Sequence, residues 1–160
     1  MNIDEIDKRI LAALQVDARL TNVQLADKVG LTASPCLRRV RLLEEAGVIR
    51  GYRATLDRKE LGLGLTVFVD VKVERHGDQA AGAFEAAIRD VPEVVSCHLV
   101  SGAADFLLQV VVADLPAYER LLLGILLKLP GVSDIRSNFA IRAIKDEAAL
   151  PLDHLPSRRP

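Results

Sequence analysis

The sequence predicts an α+β protein: an N-terminal winged helix-turn-helix followed by a βαββαβ, ferredoxin-like α/β-sandwich. Three observations predict it. Before residue 46, apolar residues recur at helical spacing in three short stretches separated by capping residues and glycine. A strict alternation of valine with other residues then opens the second half at 65–74. Over 65–144 the patterns follow the order β-α-β-β-α-β, in two β-α-β halves of related length. The 160 residues fit one medium domain or two small ones, and the change of pattern favours two. Their expected division is 1–56 for the winged helix-turn-helix, 57–64 for a linker, 65–150 for the second domain and 151–160 for a tail.

Residues 4–16 place Ile6, Ile10, Leu11 and Leu14 on one helical stripe, with Asp4, Glu5 and Asp7 where the helix dipole favours acids. Thr21 and Gln24 form a capping box, so a second helix starts there, runs to about Val29 and stops at Gly30. Thr32 or Ser34 caps a third helix. Pro35 falls in its first turn, where the missing N–H costs little. Leu37, Val40 and Leu43 are its expected apolar stripe, and Gly47 its C′ residue. Residues 48–56 read as a short strand or hairpin with basic residues at the bend.

In the second half, Leu65, Val67, Val69, Val71 and Val73 share one face of the first strand. Ala80, Ala83, Phe84, Ala87, Ile88 and Val91 give a helical stripe. Residues 94–100 and 106–112 are two apolar strands joined by Ser101–Asp105. Residues 115–129 read as one helix, apolar almost all round, and 135–144 as the last strand. Two helices cover one face of such a sheet and leave the other bare. Phe68 lies opposite the valines and the hairpin strands are apolar on both sides, which points to a covering partner and a homo-oligomer.

Hydrophobic residues make up 50% of the chain and mean hydropathy is +0.21, enough for packed cores and against wholesale disorder. The net charge of −1 says nothing for nucleic acid, but it averages opposed parts. Residues 1–60 hold 11 Lys/Arg and 9 Asp/Glu, whereas 61–160 hold 10 and 13. Within 19–53 seven basic residues face three acids, a net of +4. Cys36 and Cys97 form no paired motif, so a reducing cytoplasm is expected. The start MNIDEIDKR does not read as a signal peptide. No apolar run reaches the ~18 residues of a membrane span.

The basic stretch coincides with the third helix. Leu37, Val40 and Leu43 are expected inward, with Ser34, Arg38, Arg39 and Arg41 outward. Arginine's fork matches phosphate oxygens and the O6/N7 edge of guanine. Thr21, Asn22 and the second helix's N-terminus offer N–H groups to phosphate, and Arg50 and Arg53 sit on the wing. Ala26 and Gly30, four apart, allow a close helix–helix approach and a sharp turn. These features together favour double-stranded DNA over a merely solvated helical bundle.

A second constellation is Ser101-Gly102-Ala103-Ala104-Asp105. Small residues leave turn N–H groups approachable by a carboxylate, and Asp105 suits an ammonium. Those are the two ends of a free α-amino acid. Ser137 and Asn138 add neutral hydrogen bonds if the last strand lies nearby. Such a sequence is also an ordinary turn.

With these motifs in order, the chain resembles the leucine-responsive regulatory (Lrp/AsnC, or feast/famine) family over about residues 3–150. The matching stretches are LTNVQLADKVGLTASPCLRRVRLLEEAGVIRGY, VVSCHLVSGAADFLL and DLPAYERLLLGILLKLPGVSDIRS. The resemblance implies an N-terminal DNA-binding domain and a C-terminal domain that binds amino acids. It implies dimers through the C-terminal sheets that assemble into tetramers or octamers. It also implies effector sites between neighbouring dimers, around the glycine hairpin, with Gly102 and Asp105 the best matches and Ser137 next. The chain departs from the family at Ala103, where many members are acidic, at Ala104, where they carry a larger residue, and at Asn138, where Ser, Thr or an aromatic is commoner. The tail LPLDHLPSRRP is similar to the leucine-responsive subgroup and favours leucine or methionine as effector.

No metal or other cofactor is expected, because His76, His98 and His154 share no ligand spacing with each other or with the cysteines. There is no Walker A loop, no dinucleotide-binding glycine pattern and no catalytic triad. The expected function is therefore a cytoplasmic, non-enzymatic transcriptional regulator reading a palindromic operator. An amino-acid-sensing protein-interaction module without DNA binding is the alternative reading. A small enzyme on the ferredoxin-like scaffold is a third.

Overall fold

The structure is a computed structural model that describes residues 3–74, 78–146 and 148–155. It divides into two compact units, one of residues 1–55 with 145–160 and one of residues 56–144.

In the first unit, α1 (Glu5–Val16), α2 (Asn22–Val29) and α3 (Ala33–Glu45) pack around Ile10, Leu25, Ala26, Val29, Cys36 and Leu43. Asp4 caps α1: its carboxylate accepts from the Ile6 and Asp7 amides, and Asp7 returns the favour to the Asp4 amide. Thr21 and Gln24 form the expected box on α2. Gly30 ends α2 at φ 74°, a left-handed conformation that lets the Leu31 N–H return to Ala26. The Asn22 amide donates to the Ala33 carbonyl at 2.7 Å and ties the start of α2 to the start of α3. Thr32 is the N-cap of α3, without a side-chain cap bond. Gly47 (φ 70°) follows the end of α3 as expected.

Two expectations for this unit are corrected. Cys36, not Leu37, belongs to the buried stripe: Cys36 is fully buried and Leu37 is 39% exposed. The inner face is 36, 39, 40 and 43, the helical repeat that keeps Leu43 in the core. The strand or hairpin at 48–56 does not form. The Val48 and Ile49 amides are spent on the Leu43 carbonyl, and 50–57 has no ladder partner among the described residues. A lone two-stranded hairpin is marginal without a third strand to back it. The tail also belongs here. Lys8 Nζ donates to the Leu155 carbonyl at 2.6 Å, and Gln15 exchanges two hydrogen bonds with the Leu150 backbone.

The second unit is a four-stranded antiparallel sheet in the order β2-β3-β1-β4, from β1 (Leu65–Val73), β2 (Val94–Leu99), β3 (Phe106–Val112) and β4 (Val132–Phe139). With α4 (Asp78–Ile88) and α5 (Leu115–Gly124) this is the expected βαββαβ order. Val67, Val69, Val71 and Val73 point to the covered face and pack with Phe84, Ile88, Val91, Leu108, Val110, Tyr118, Leu121 and Leu126. Each fully buried valine contributes about 1.5–3 kcal/mol. Ala83 lies exposed on α4, outside the expected stripe, and the side chain of Ala80 lies outside the described residues, as does His76.

The helix expected over 115–129 is shorter. It breaks at Ile125 (φ −126°, ψ −64°) and resumes as one 3-10 turn, Leu126–Lys128. Gly124 and β-branched Ile125 are weak helix formers, and the break turns Leu126 fully into the core. The last strand lies earlier than the expected 135–144: its ladder with β1 runs from Val132 to Phe139, opposite Val67, and closes with the Ala140 N–H on the Thr66 carbonyl. Beyond it Ile141 is 99% exposed. The open face is less apolar than the hairpin sequence implied. By register it carries Thr66, Phe68, Asp70 and Lys72 of β1, Leu107, Gln109 and Val111 of β3, Ser96 and His98 of β2, and Asp134, Arg136 and Asn138 of β4.

Candidate functional site

The outer face of α3 is built by helical repeat alone. Ser34, Leu37, Arg38, Arg41, Leu42 and Glu45 line one shallow recess of about 250 Å³. All six are exposed. Arg38 and Arg41, three apart, project from neighbouring turns of one face. Arg50 and Arg53 are exposed on the irregular segment that follows α3.

Arg39 departs from the outward expectation. Its Nη1 lies 2.8 Å from both Asp4 Oδ2 and Asp7 Oδ1 and clamps α3 to the start of α1. The Asp7 side chain there is only 5% exposed and that of Arg39 25%. Hydrogen bonds to Asp7 and then Asp4 outweigh desolvation and raise the Arg39 pKa. Burial works to raise the Asp4 pKa, but the Asp7 amide, Arg39 and the Ile6 amide outweigh it and hold Asp4 below its ordinary 3.8. The signal was in the sequence: residue 39 falls on the stripe of Cys36 and Leu43, and two acids wait at the start of α1.

At α2, the Thr21 hydroxyl is engaged with Gln24, and the Asn22 amide with Ala33. Tyr52, which the sequence reading passed over, donates from its hydroxyl to Glu44 at 2.9 Å. Desolvation and that carboxylate push its pKa up to about 12. It anchors the segment bearing Arg50 and Arg53 to the last turn of α3.

The glycine turn lies at one end of the sheet. Ser101, Ala103 and Ala104 line a pocket of about 170 Å³ with Val100, Asp70, Lys72, Asp134 and Arg136. Gly102 has φ 123°, a conformation L side chains rarely adopt, and nothing stands within 4 Å of where its Cβ would be. Its glycine is required by the turn, not by crowding. Asp105 is turned back into the strands: its carboxylate accepts from the Val73 N–H at 3.0 Å and its own N–H donates to the Val71 carbonyl at 3.0 Å. It holds the turn against the end of β1.

The register separates Ser137 from Asn138. Ser137 pairs with Val69 and points to the helices, where its hydroxyl lies 2.6 Å from that of Tyr118. Burial raises the Tyr118 pKa, a shift the Ser137 contact opposes. Asn138 points to the open face and donates to Asp70 Oδ2 at 3.2 Å. Neither lines the pocket. Lys72, Asp134 and Arg136, together with Asp70, take that place. The sequence reading missed all four, since only the pairing of β4 with β1 brings them to the turn.

Among the described residues there is no group of three His, Cys, Asp or Glu side chains placed to hold a metal ion, and no helix long and apolar enough to cross a membrane. The pocket offers two acids and two bases at short reach, which suits a zwitterion of small size. The α3 face offers guanidinium groups around a shallow recess, which suits a polyanion.

Residues 66–150 match the family of Lrp/AsnC ligand binding domains, and residues 3–50 match that of winged helix-turn-helix DNA-binding domains. The chain is 43% identical over 149 residues to the leucine-responsive regulatory protein of Salmonella typhimurium, covering 93% of this chain and 91% of that protein. It is 45% identical over 150 residues to the Bkd operon transcriptional regulator of Pseudomonas aeruginosa, covering 94% and 98%. The crystal structure of a Neisseria meningitidis transcriptional regulator in complex with L-Met superposes with a TM-score of 0.93 at 41% identity, covering 97% of this chain and all of that one. Both halves are matched in order and at this identity, so the chain belongs to the Lrp/AsnC family of DNA-binding transcriptional regulators, and its relatives are regulators rather than enzymes.

Proposed function

We propose that this chain is a sequence-specific regulator whose assembly or DNA binding responds to a small apolar amino acid, leucine or methionine. The observation that carries the reading is the pocket beside the Gly102 turn, where Lys72 and Arg136 stand with Asp70 and Asp134 against three small side chains. The bases suit the effector's carboxylate and the acids its ammonium. Ser101, Ala103 and Ala104 leave room for a side chain, and Asp105 keeps the turn in place. Asn138 supports Asp70 from the open face, whereas Ser137, bonded to Tyr118 on the covered face, stands outside the ligand contacts. The L-Met complex of the Neisseria regulator supports an amino acid of this class.

On the DNA side, α3 enters the major groove, with Ser34, Arg38 and Arg41 sharing base and phosphate contacts. Arg50 and Arg53 follow the backbone, and Thr21 and Asn22 place the start of α2 beside a phosphate. Arg39 positions α3 from inside. Dimers pair through the open sheet face around Phe68 and assemble to tetramers or octamers, so the operator is palindromic. Ligand at the turn biases that assembly with a coupling of about 1–3 kcal/mol. Such a regulator works in the bacterial cytoplasm, where the chromosome is.

A thermal-shift screen of the wild type against the twenty amino acids tests the reading, because a ligand of the native state raises Tm by mass action. Leucine or methionine is expected to raise it, and Arg136→Gln to abolish the rise. A flat response to all twenty overturns the effector reading. Salt-independent retention of random duplex DNA overturns the DNA reading.

A further inference from the structure

We propose that Leu37 reads the C5-methyl group of a thymine, so that each half-site requires an A·T pair at one fixed position. The inference rests on the reading of α3 as the helix in the major groove. Helical spacing assigned Leu37 to the core, but the structure turns it out. It is 39% exposed and takes no part in the cluster around Ile10, Cys36 and Leu43. It shares the outer recess with Ser34, Arg38 and Arg41.

A leucine beside two arginines in one recess has no donor or acceptor for a phosphate. The major-groove edge of DNA offers one apolar group, the methyl of thymine. Arg38 and Arg41 hold the neighbouring polar atoms, and the leucine covers the methyl. Its position in the helix agrees. Recognition helices present their N-terminal part to base edges, and Leu37 lies within the first two turns of α3, which begins at Ala33. Leu42, also in the recess, lies in the C-terminal half.

The test uses full-length protein and a duplex selected by the wild type from a random pool. Each thymine is replaced singly by deoxyuridine, which removes only the methyl. One position per half-site is expected to weaken wild-type binding about threefold to fivefold, the scale of burying one methyl group. Leu37→Ala is expected to bind more weakly and to lose that discrimination, with its Tm unchanged. Leu37→Met and Leu42→Ala are expected to keep it. A wild type indifferent to deoxyuridine at every position overturns the proposal while leaving DNA recognition by α3 standing. Discrimination that survives in Leu37→Ala moves the contact elsewhere and also overturns it. If no sequence is selected although binding is salt-sensitive, base reading by α3 falls, and this proposal with it.

Discussion

The outer face of α3 and the pocket beside the Gly102 turn are both charged surfaces of small size, built at different scales. The first is carried by one helix, and its members lie within 12 residues of each other. The second draws on β1, β4 and the turn between β2 and β3, from Asp70 to Arg136. A one-helix surface survives any change that keeps the helix. A surface spread over two strands and a turn depends on register, because a one-residue slip sends alternate side chains to the other face. Neighbours in sequence show the same contrast: Arg38 and Arg39 divide between outside and inside, and Ser137 and Asn138 between the covered and open faces.

Four predictions press on that contrast. The largest effect is expected at Arg39. Arg39→Ala leaves Asp4 and Asp7 partly buried without their cation and costs about 2–4 kcal/mol, read by urea unfolding of the full chain. Arg38→Ala stays within about 0.5 kcal/mol of wild type. Equal losses in both would erase the inside–outside division. The pH dependence has a definite sign. The folded-state pKa of Asp4 is lowered, so its contribution is complete above 3.8 and is lost as pH falls through the lowered value. Arg39→Ala should flatten that acid limb.

Next comes the pocket. Arg136→Gln is expected to raise the Kd for methionine at least about tenfold, or ~1.4 kcal/mol, by calorimetry, with ligand-free DNA affinity retained. Unaltered binding would take β4 out of the site. Third, Arg38→Ala is expected to lower the slope of log K against log salt by about one unit, the signature of a lost phosphate contact. The smallest effect is expected at Ser137. Ser137→Ala strips the Tyr118 hydroxyl of its partner and costs about 1 kcal/mol in stability. Methionine affinity should stay as in wild type, and a tenfold loss would put Ser137 back among the ligand contacts.

What the sequence determined by itself is local. The capping box at Thr21, the αL stop at Gly30, the valine alternation of β1 and the order of elements all follow from neighbours a few residues apart, and the resemblance to the family rests on such stretches. Part of the DNA face was legible for the same reason, since helical repeat places Ser34, Arg38 and Arg41 together. The tertiary structure decided whatever depends on a distant partner. Asp4 and Asp7 drew Arg39 inward. The packing that buried Leu43 fixed the phase of α3, and helical repeat then put Cys36 inside and Leu37 outside. Pairing with β1 set the bounds of β4 at Val132 and Phe139. Among the described residues no strand lies beside 50–57 to pair with it. Pairing of β4 with β1 brought Lys72, Asp134 and Arg136 to the glycine turn. A side chain's face on a lone element follows from its period, but its partner is fixed by packing between elements far apart in the chain, and periodicity carries no information about that.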